Sequence, residues 1–236
     1  MSRVVVVTGT DTDVGKTVVT AALVASVRAC GGRVAVDKPT QTGVVPGQEG
    51  DVQVVARLSG VECLSEGVRL VAPMAPVQAA AREGVCLPSL GAHVERIAGL
   101  AAQCDVVFVE GAGGVLVELD GEHGTVADLV CALGESCPDV ECEVVVVARA
   151  DLGTLNHTEL TLEALLARGI RVRGVVIGAW PDDPGPIAED NRRHIAGLGD
   201  SHRYGVPLLG VVPVGAGAWE RERFCAAASE WFGCAL

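Results

Sequence analysis

The stretch Val4-Val5-Val6-Val7-Thr8-Gly9-Thr10-Asp11-Thr12-Asp13-Val14-Gly15-Lys16-Thr17 decides the fold. Four consecutive valines form a short β-branched run of the kind that is buried on both faces of a parallel sheet. A glycine-bearing loop follows, and Gly15-Lys16-Thr17 opens an apolar, helix-forming segment. At such a strand-loop-helix junction the free backbone N–H groups and the helix dipole favour phosphate oxygens. Lys16 is then placed to reach β- and γ-phosphates and the Thr17 hydroxyl to ligate Mg²⁺, so the loop from Gly9 to Thr17 is expected to bind a magnesium nucleoside triphosphate. The spacing is a variant one: five residues, not four, separate Gly9 from Gly15. Asp11 and Asp13 flank the phosphate position, where an acid is costly unless it faces a cation. They point either to an amine-bearing second ligand or to two solvated loop acids.

Working outward, similar apolar runs recur at residues 33–37, 105–110, 144–148, 172–178 and 208–212. Between them lie helix-forming segments at residues 17–30, 51–58, 90–102, 125–133, 156–168, 186–198 and 219–232. Gly31-Gly32 reads as the stop of the first, and the 156–168 segment reads as opened by Asn156 and stopped by Gly169. This alternation predicts a P-loop NTPase-type three-layer α/β/α fold with a mostly parallel central sheet. Residues 61–88 carry no clear period, and no linker divides residues 1–236 into more than one domain.

Composition narrows the function. Hydrophobic residues make up 49% of the chain and aromatics only 3%, so the core must be built from Val, Ala and Leu. A net charge of −12 with no basic run argues against nucleic acid and anionic membrane surfaces as partners. The nine cysteines are scattered, with no Cys-x-x-Cys, and no secretory or membrane-spanning segment is legible. Reduced thiols in a cytoplasmic protein are the expectation, and structural zinc is not.

Three further constellations carry chemistry. Glu110, at the end of the 105–110 run and before Gly111-Ala112-Gly113-Gly114, is placed to hold Mg²⁺ opposite the loop. Lys38 is the only lysine besides Lys16, and it falls at the end of the second apolar run, in Asp37-Lys38-Pro39-Thr40-Gln41-Thr42-Gly43. Asp51 reads equally as a helix N-cap or as a second Mg²⁺ acid. Asp151-Leu152-Gly153-Thr154-Leu155-Asn156-His157 offers a helix start suited to a carboxylate.

Taken together, the loop 8–17, Lys38 to Gly43, Glu110 to Gly114 and Leu152 to His157 resemble the dethiobiotin synthetase family in order and spacing. The resemblance implies ATP-dependent ring closure of 7,8-diaminopelargonic acid with CO₂ or bicarbonate, giving dethiobiotin, ADP and phosphate. It implies Lys16 and Lys38 as the catalytic cations, and Thr17, Asp51 and Glu110 as holders of Mg²⁺. The nucleotide would further touch Asp13, Val14, Gly15, Val18, Gly111, Ala112 and Gly113. Thr12, Lys38 and Thr42 would meet the reacting end of the diamine. Gly153, Thr154 and Asn156 would bind its distal carboxylate from a partner subunit, so a homodimer with a shared site is implied. Many members read adenine with an Asn where this chain has Gly178 and Ala179; these two and Pro213, Val214 and Gly215 would line the base, leaving ATP or another triphosphate as cosubstrate.

The rival reading is a partition- or site-selection-type switch ATPase. Such proteins carry a lysine early in the loop, where this chain has Asp11.

Overall fold

The computed structural model describes residues 2–232. Its strands are β1 (Arg3–Gly9), β2 (Val34–Gln41), β3 (Cys63–Arg69), β4 (Val106–Gly114), β5 (Glu141–Ala148), β6 (Val172–Trp180) and β7 (Leu208–Pro213). They form one sheet in the order β3-β2-β4-β1-β5-β6-β7. Every pairing is parallel, so the mostly parallel sheet that the sequence predicts is parallel throughout.

The valine run explains β1. Successive side chains on a strand point to opposite faces. Val4 and Val6 therefore enter one core and Val5 and Val7 the other. Helices α1 (Lys16–Ala29), α2 (Asp51–Ser59) and α8 (Arg221–Phe232) cover the second face. Helices α4 (Leu90–Ala101), α5 (Val126–Ser136), α6 (Thr154–Leu166) and α7 (Pro186–Gly197) cover the first. A small third cluster joins Leu70 to Ala79 and Ala80 of α3 (Pro76–Glu83).

Several expected boundaries move. The second strand does not stop at residue 37 but runs to Gln41, through Lys38 and Pro39. Pairing with β4 covers only Val34 to Asp37, whereas pairing with β3 continues to Gln41. Pro39 thus lies beyond the two-sided part of the strand, where a missing N–H is tolerated. Asn156 does not cap α6; Gly153 does, in a left-handed conformation at φ 92°. Asp51 is the first residue of α2 and Gly50 its cap, which removes the plain N-cap reading of that acid. The segment 61–88 contains β3 and α3.

Helix α8 closes the second face. Gly210 of β7 admits its backbone so closely that a methyl group there would lie 2.0 Å from the Trp231 carbonyl oxygen. Phe224 is fully buried and meets the Trp231 ring edge-on at 5.4 Å. Phe224→Ala is expected to cost about 3–5 kcal/mol, a cavity-forming loss, read as a lowered urea midpoint with an unchanged slope.

Among the described residues no helix is long and apolar enough to cross a membrane, and the described cysteines are free.

Candidate functional site

The carboxyl ends of β1, β2 and β4 open onto a cavity of about 660 Å³. This edge, where the chain passes to either side of β1, is the ligand edge of an open parallel sheet. The loop between β1 and α1 forms its floor. Gly15 caps α1 at φ 94°, and Asp13, which is not glycine, also sits at positive φ, 57°. The turn therefore aims the N–H groups of the first helical turn into the cavity mouth, next to Lys16 and Thr17.

Four polar side chains, Thr17, Lys38, Asp51 and Glu110, converge there. Lys38 Nζ lies 2.6 Å from Asp51 Oδ2 and 2.9 Å from Glu110 Oε1, and donates to the Gly111 carbonyl at 3.1 Å. Thr17 Oγ1 donates to the same Glu110 Oε1 at 2.9 Å. Asp51 is fixed from behind, since its own N–H donates to Gln41 Oε1 at 2.7 Å. Lys16 Nζ instead donates to the Asp11 carbonyl at 2.9 Å.

These contacts set the charge states. Burial, helped by the neighbouring Lys38, holds the Lys16 pKa below the usual lysine value. Burial also opposes the charge on Lys38, but Glu110 and then Asp51 outweigh it and raise its pKa. Burial raises the Glu110 pKa against the pull of Lys38. Burial works the same way on Asp51, yet Lys38 prevails and its pKa falls.

The arrangement fits a divalent cation. Glu110 Oε2 is buried and has no hydrogen-bond partner, and two carboxylates share the one Lys38 ammonium. Among the described residues no three His, Cys, Asp or Glu side chains cluster as a closed metal cage. The donors present, two carboxylates and the Thr17 hydroxyl beside the phosphate loop, are of the kind that hold Mg²⁺ together with water and substrate phosphates.

Of the residues singled out by sequence, the cavity brings together Thr12, Asp13, Gly15, Lys16, Thr17, Val18, Lys38, Thr42, Asp51, Glu110, Ala112 and Gly113. Val14 is buried beneath the loop. Gly178 lies under it too: the two chains approach so closely that a methyl group on Gly178 would stand 2.1 Å from the Val14 carbonyl oxygen. Close packing alone therefore accounts for glycine at that position. Ala179 and Val214 are exposed beyond it, with Val214 N–H donating to the Trp180 carbonyl at 2.8 Å. Ala179 lies near the end of β6, while the turn that holds Pro213, Val214 and Gly215 runs on to Gly217, which packs against Val18 at the start of α1. Gly153 and Asn156 are exposed and lie outside the cavity; Thr154 is buried and donates to the Arg149 carbonyl at 2.8 Å.

Of the two loop acids, Asp13 lines the cavity, whereas the Asp11 carboxylate lies outside it, half exposed to solvent and paired with Arg149 at 2.9 Å. The cavity also takes in Thr40 and Gln41, which the sequence placed in the Lys38 stretch without a role, and a wall that sequence reasoning missed, formed by Pro73, Met74, Ala75 and Pro76. The latter four fall in the segment without a readable period.

Behind Lys38, on the other face of β2, the fully buried Asp37 carboxylate accepts two bonds from Arg96 of α4, at 2.8 and 3.0 Å. Arg96 Nη2 also lies 2.9 Å from His93 Nδ1. An arginine can only donate, so Nδ1 accepts and the ring is neutral. Burial first and Arg96 second lower the His93 pKa from 6.5 to about 4, against Asp37 and Asp120. Between those values the unfolded chain binds a proton that the folded one refuses. Stability is thus full above about pH 6.5 and falls towards pH 4 by on the order of 3 kcal/mol. His93→Gln is expected to flatten that part of the pH–stability curve, measured by urea unfolding across the window.

A parallel sheet, a glycine-lysine-threonine loop at its central strand and two facing acids define a P-loop nucleotide-binding protein. The family model described as AAA domain matches residues 3–217. The ATP-dependent dethiobiotin synthetase BioD of Rhodococcus jostii is 48% identical over 229 residues, covering 97% of this chain and 94% of its own length. The enzyme of the same name from Mycobacterium avium is 49% identical over 222 residues, covering 94% and 91%. The chain belongs to the ATP-dependent dethiobiotin synthetase family. Among solved structures, the septum site-determining protein MinD of Pyrococcus horikoshii, complexed with Mg-ADP, aligns with a TM-score of 0.56. Its identity is 18%, over 98% of this chain and 96% of that one, so the likeness is one of fold.

Proposed function

We propose that this protein closes the ureido ring of dethiobiotin: 7,8-diaminopelargonic acid, CO₂ and a nucleoside triphosphate give dethiobiotin, the diphosphate and phosphate. The observation that carries the reading is Lys38, a buried ammonium held between Asp51 and Glu110 at the mouth of the phosphate loop. Family membership at 48% identity over nearly the whole chain supports the same substrates.

The residues divide the work as follows. The N–H groups of Gly15, Lys16, Thr17 and Val18 at the start of α1 receive the phosphates, with Asp13 and Val14 shaping the turn. One amine of the diamine is carboxylated, and the carbamate oxygen then attacks the γ-phosphorus. The second amine displaces phosphate and closes the ring. Lys38 and Lys16 are the cations beside these oxygens, and fixed charges of this kind in a dry site stabilise developing charge without reorganising. Mg²⁺, held by Thr17, Asp51 and Glu110, would supply further charge neutralisation at the phosphates. Thr12 and Thr42 face the reacting end of the diamine, with Ala112, Gly113 and the Gly111 backbone closing the opposite wall.

Gly153, Thr154 and Asn156 stand away from this chain's own cavity, beside Leu152, whose exposure is 82%. Both facts support a homodimer in which the start of α6 receives the substrate carboxylate of the partner's site. The base is met by Gly178, Ala179, Pro213, Val214 and Gly215 through backbone and small side chains only. The absence of a lysine early in the loop, with Asp11 there instead, speaks against the switch ATPase.

The test is phosphate release from Mg-ATP, with bicarbonate, in the presence and absence of the diamine, followed by mass spectrometry for dethiobiotin. Diamine-dependent release with product establishes the reaction, and repeating it with CTP and GTP defines the base preference. Release indifferent to the diamine under every nucleotide refutes the reading.

A further inference from the structure

Arg149 follows directly on β5, and neither its residue type nor its neighbours in sequence assign it a role. In the fold its Nη2 lies 2.9 Å from Asp11 Oδ2 in the phosphate loop. Asp11 is itself a junction. Its Oδ1 accepts the Thr12 N–H at 2.7 Å, and its carbonyl accepts Lys16 Nζ at 2.9 Å. The chain around Arg149, from Val147 to Asp151, is held in turn by three contacts. The Thr10 N–H donates to the Val147 carbonyl at 2.9 Å, drawing the loop against the end of β5. Thr154 donates its hydroxyl to the Arg149 carbonyl at 2.8 Å. The Asn191 amide, from α7, donates to the carbonyls of Ala150 and Asp151 at 2.8 and 3.1 Å.

The pair is 37% and 51% exposed, and an isolated ion pair so exposed adds little to folding stability. Its position suggests a different use. An acid in a loop that receives three phosphates repels their charge, an effect that salt screens and that a neighbouring cation offsets. Arg149 is the cation that answers Asp11.

We propose that Arg149 is a positioning residue of the phosphate site, which neutralises Asp11 towards the incoming triphosphate and fixes the carbonyl that holds Lys16. This rests on the nucleotide half of the function proposed above and is independent of the diamine. Removing the guanidinium leaves an unanswered carboxylate, so Arg149→Ala weakens Mg-ATP binding about tenfold. Mg-ADP, which carries less charge, loses less. Arg149→Lys keeps the charge and most of the affinity. The decisive variant is Arg149→Ala combined with Asp11→Asn: with no acid left to answer, it recovers most of the lost affinity. A purely structural strut predicts the opposite, since losing both ends is no better than losing one.

Calorimetric titration of Mg-ATP and Mg-ADP into the wild type and these variants, without diamine and at two salt concentrations, reads the effect directly. Melting curves of the same samples establish that each is folded. Weaker ATP binding by Arg149→Ala, restored by Asp11→Asn and reduced at high salt, is the expected result. Equal affinity of Arg149→Ala and wild type overturns the proposal while leaving the nucleotide reading in place. So does a double variant that binds no better than Arg149→Ala. A wild type that does not bind Mg-ATP overturns both.

Discussion

Lys38→Ala is expected to lower the rate of ring closure by about 10³-fold, with the fold retained. The loss of one preorganised cation or donor aimed at developing charge typically costs 10²–10³ in rate. Lys38 carries more than one such task. Its ammonium answers two carboxylates at 2.6 and 2.9 Å, so its removal leaves Asp51 and Glu110 facing the phosphates uncompensated. Glu110, whose pKa burial already raises, is then expected to take up a proton and to serve Mg²⁺ poorly. Lys38→Arg is not expected to rescue, because a planar guanidinium needs more room than the buried ammonium and points its donors differently. Single-turnover phosphate release with bound diamine measures the step, and far-ultraviolet circular dichroism verifies the fold. Near-normal single-turnover release by a folded Lys38→Ala protein removes this residue from the mechanism. Lys16→Ala, tested beside it, is expected to lose nucleotide binding as well, since Lys16 belongs to the loop itself.

The sequence made the phosphate loop legible because every signal there is local: a valine run, a glycine at a helix start, a lysine and a hydroxyl. Lys38 was legible through its scarcity and its place at the end of an apolar run. Its strand extends past the apolar run at residues 33–37 into Lys38 and Pro39, and the parting of β2 from β4 after Asp37 makes that proline harmless. The edge strand β3 reads Cys-Leu-Ser-Glu-Gly-Val-Arg and is nowhere fully buried, so it has neither a valine run nor strict alternation to show. Asn156 looked like a cap because asparagine favours that position. Gly153, three residues earlier, takes it because it adopts positive φ without strain. The pairing of Asp11 with Arg149 joins residues 138 apart in the chain, and no local signal foretells it.

Gly178→Ala is the second large effect, and it separates two reasons for a glycine at the end of β6. Beside a nucleotide base, an alanine there would cost little, since a methyl group beside a base is readily accommodated. Under the loop the outcome is different. The new Cβ would stand 2.1 Å from the Val14 carbonyl oxygen and 2.7 Å from Val147 Cγ1, and the first of these is backbone that cannot rotate aside. On the facing chain, a Cβ on Gly15 would lie 2.6 Å from the Gly178 carbonyl oxygen, so neither chain has slack. The loop must lift by about 1 Å, and a displacement of that size in a positioning element costs roughly 10²-fold. Turnover is therefore expected to fall about that far, with Mg-ATP binding visibly weakened in calorimetric titration. A control with open space around it, Gly134→Ala in α5, should bind normally and gain stability by about 0.5–1 kcal/mol from helix propensity. If Gly178→Ala binds Mg-ATP as tightly as that control, the loop does not rest on β6 as closely as these distances require. Position 178 would then be one that an alanine can occupy, as a place beside the base alone allows.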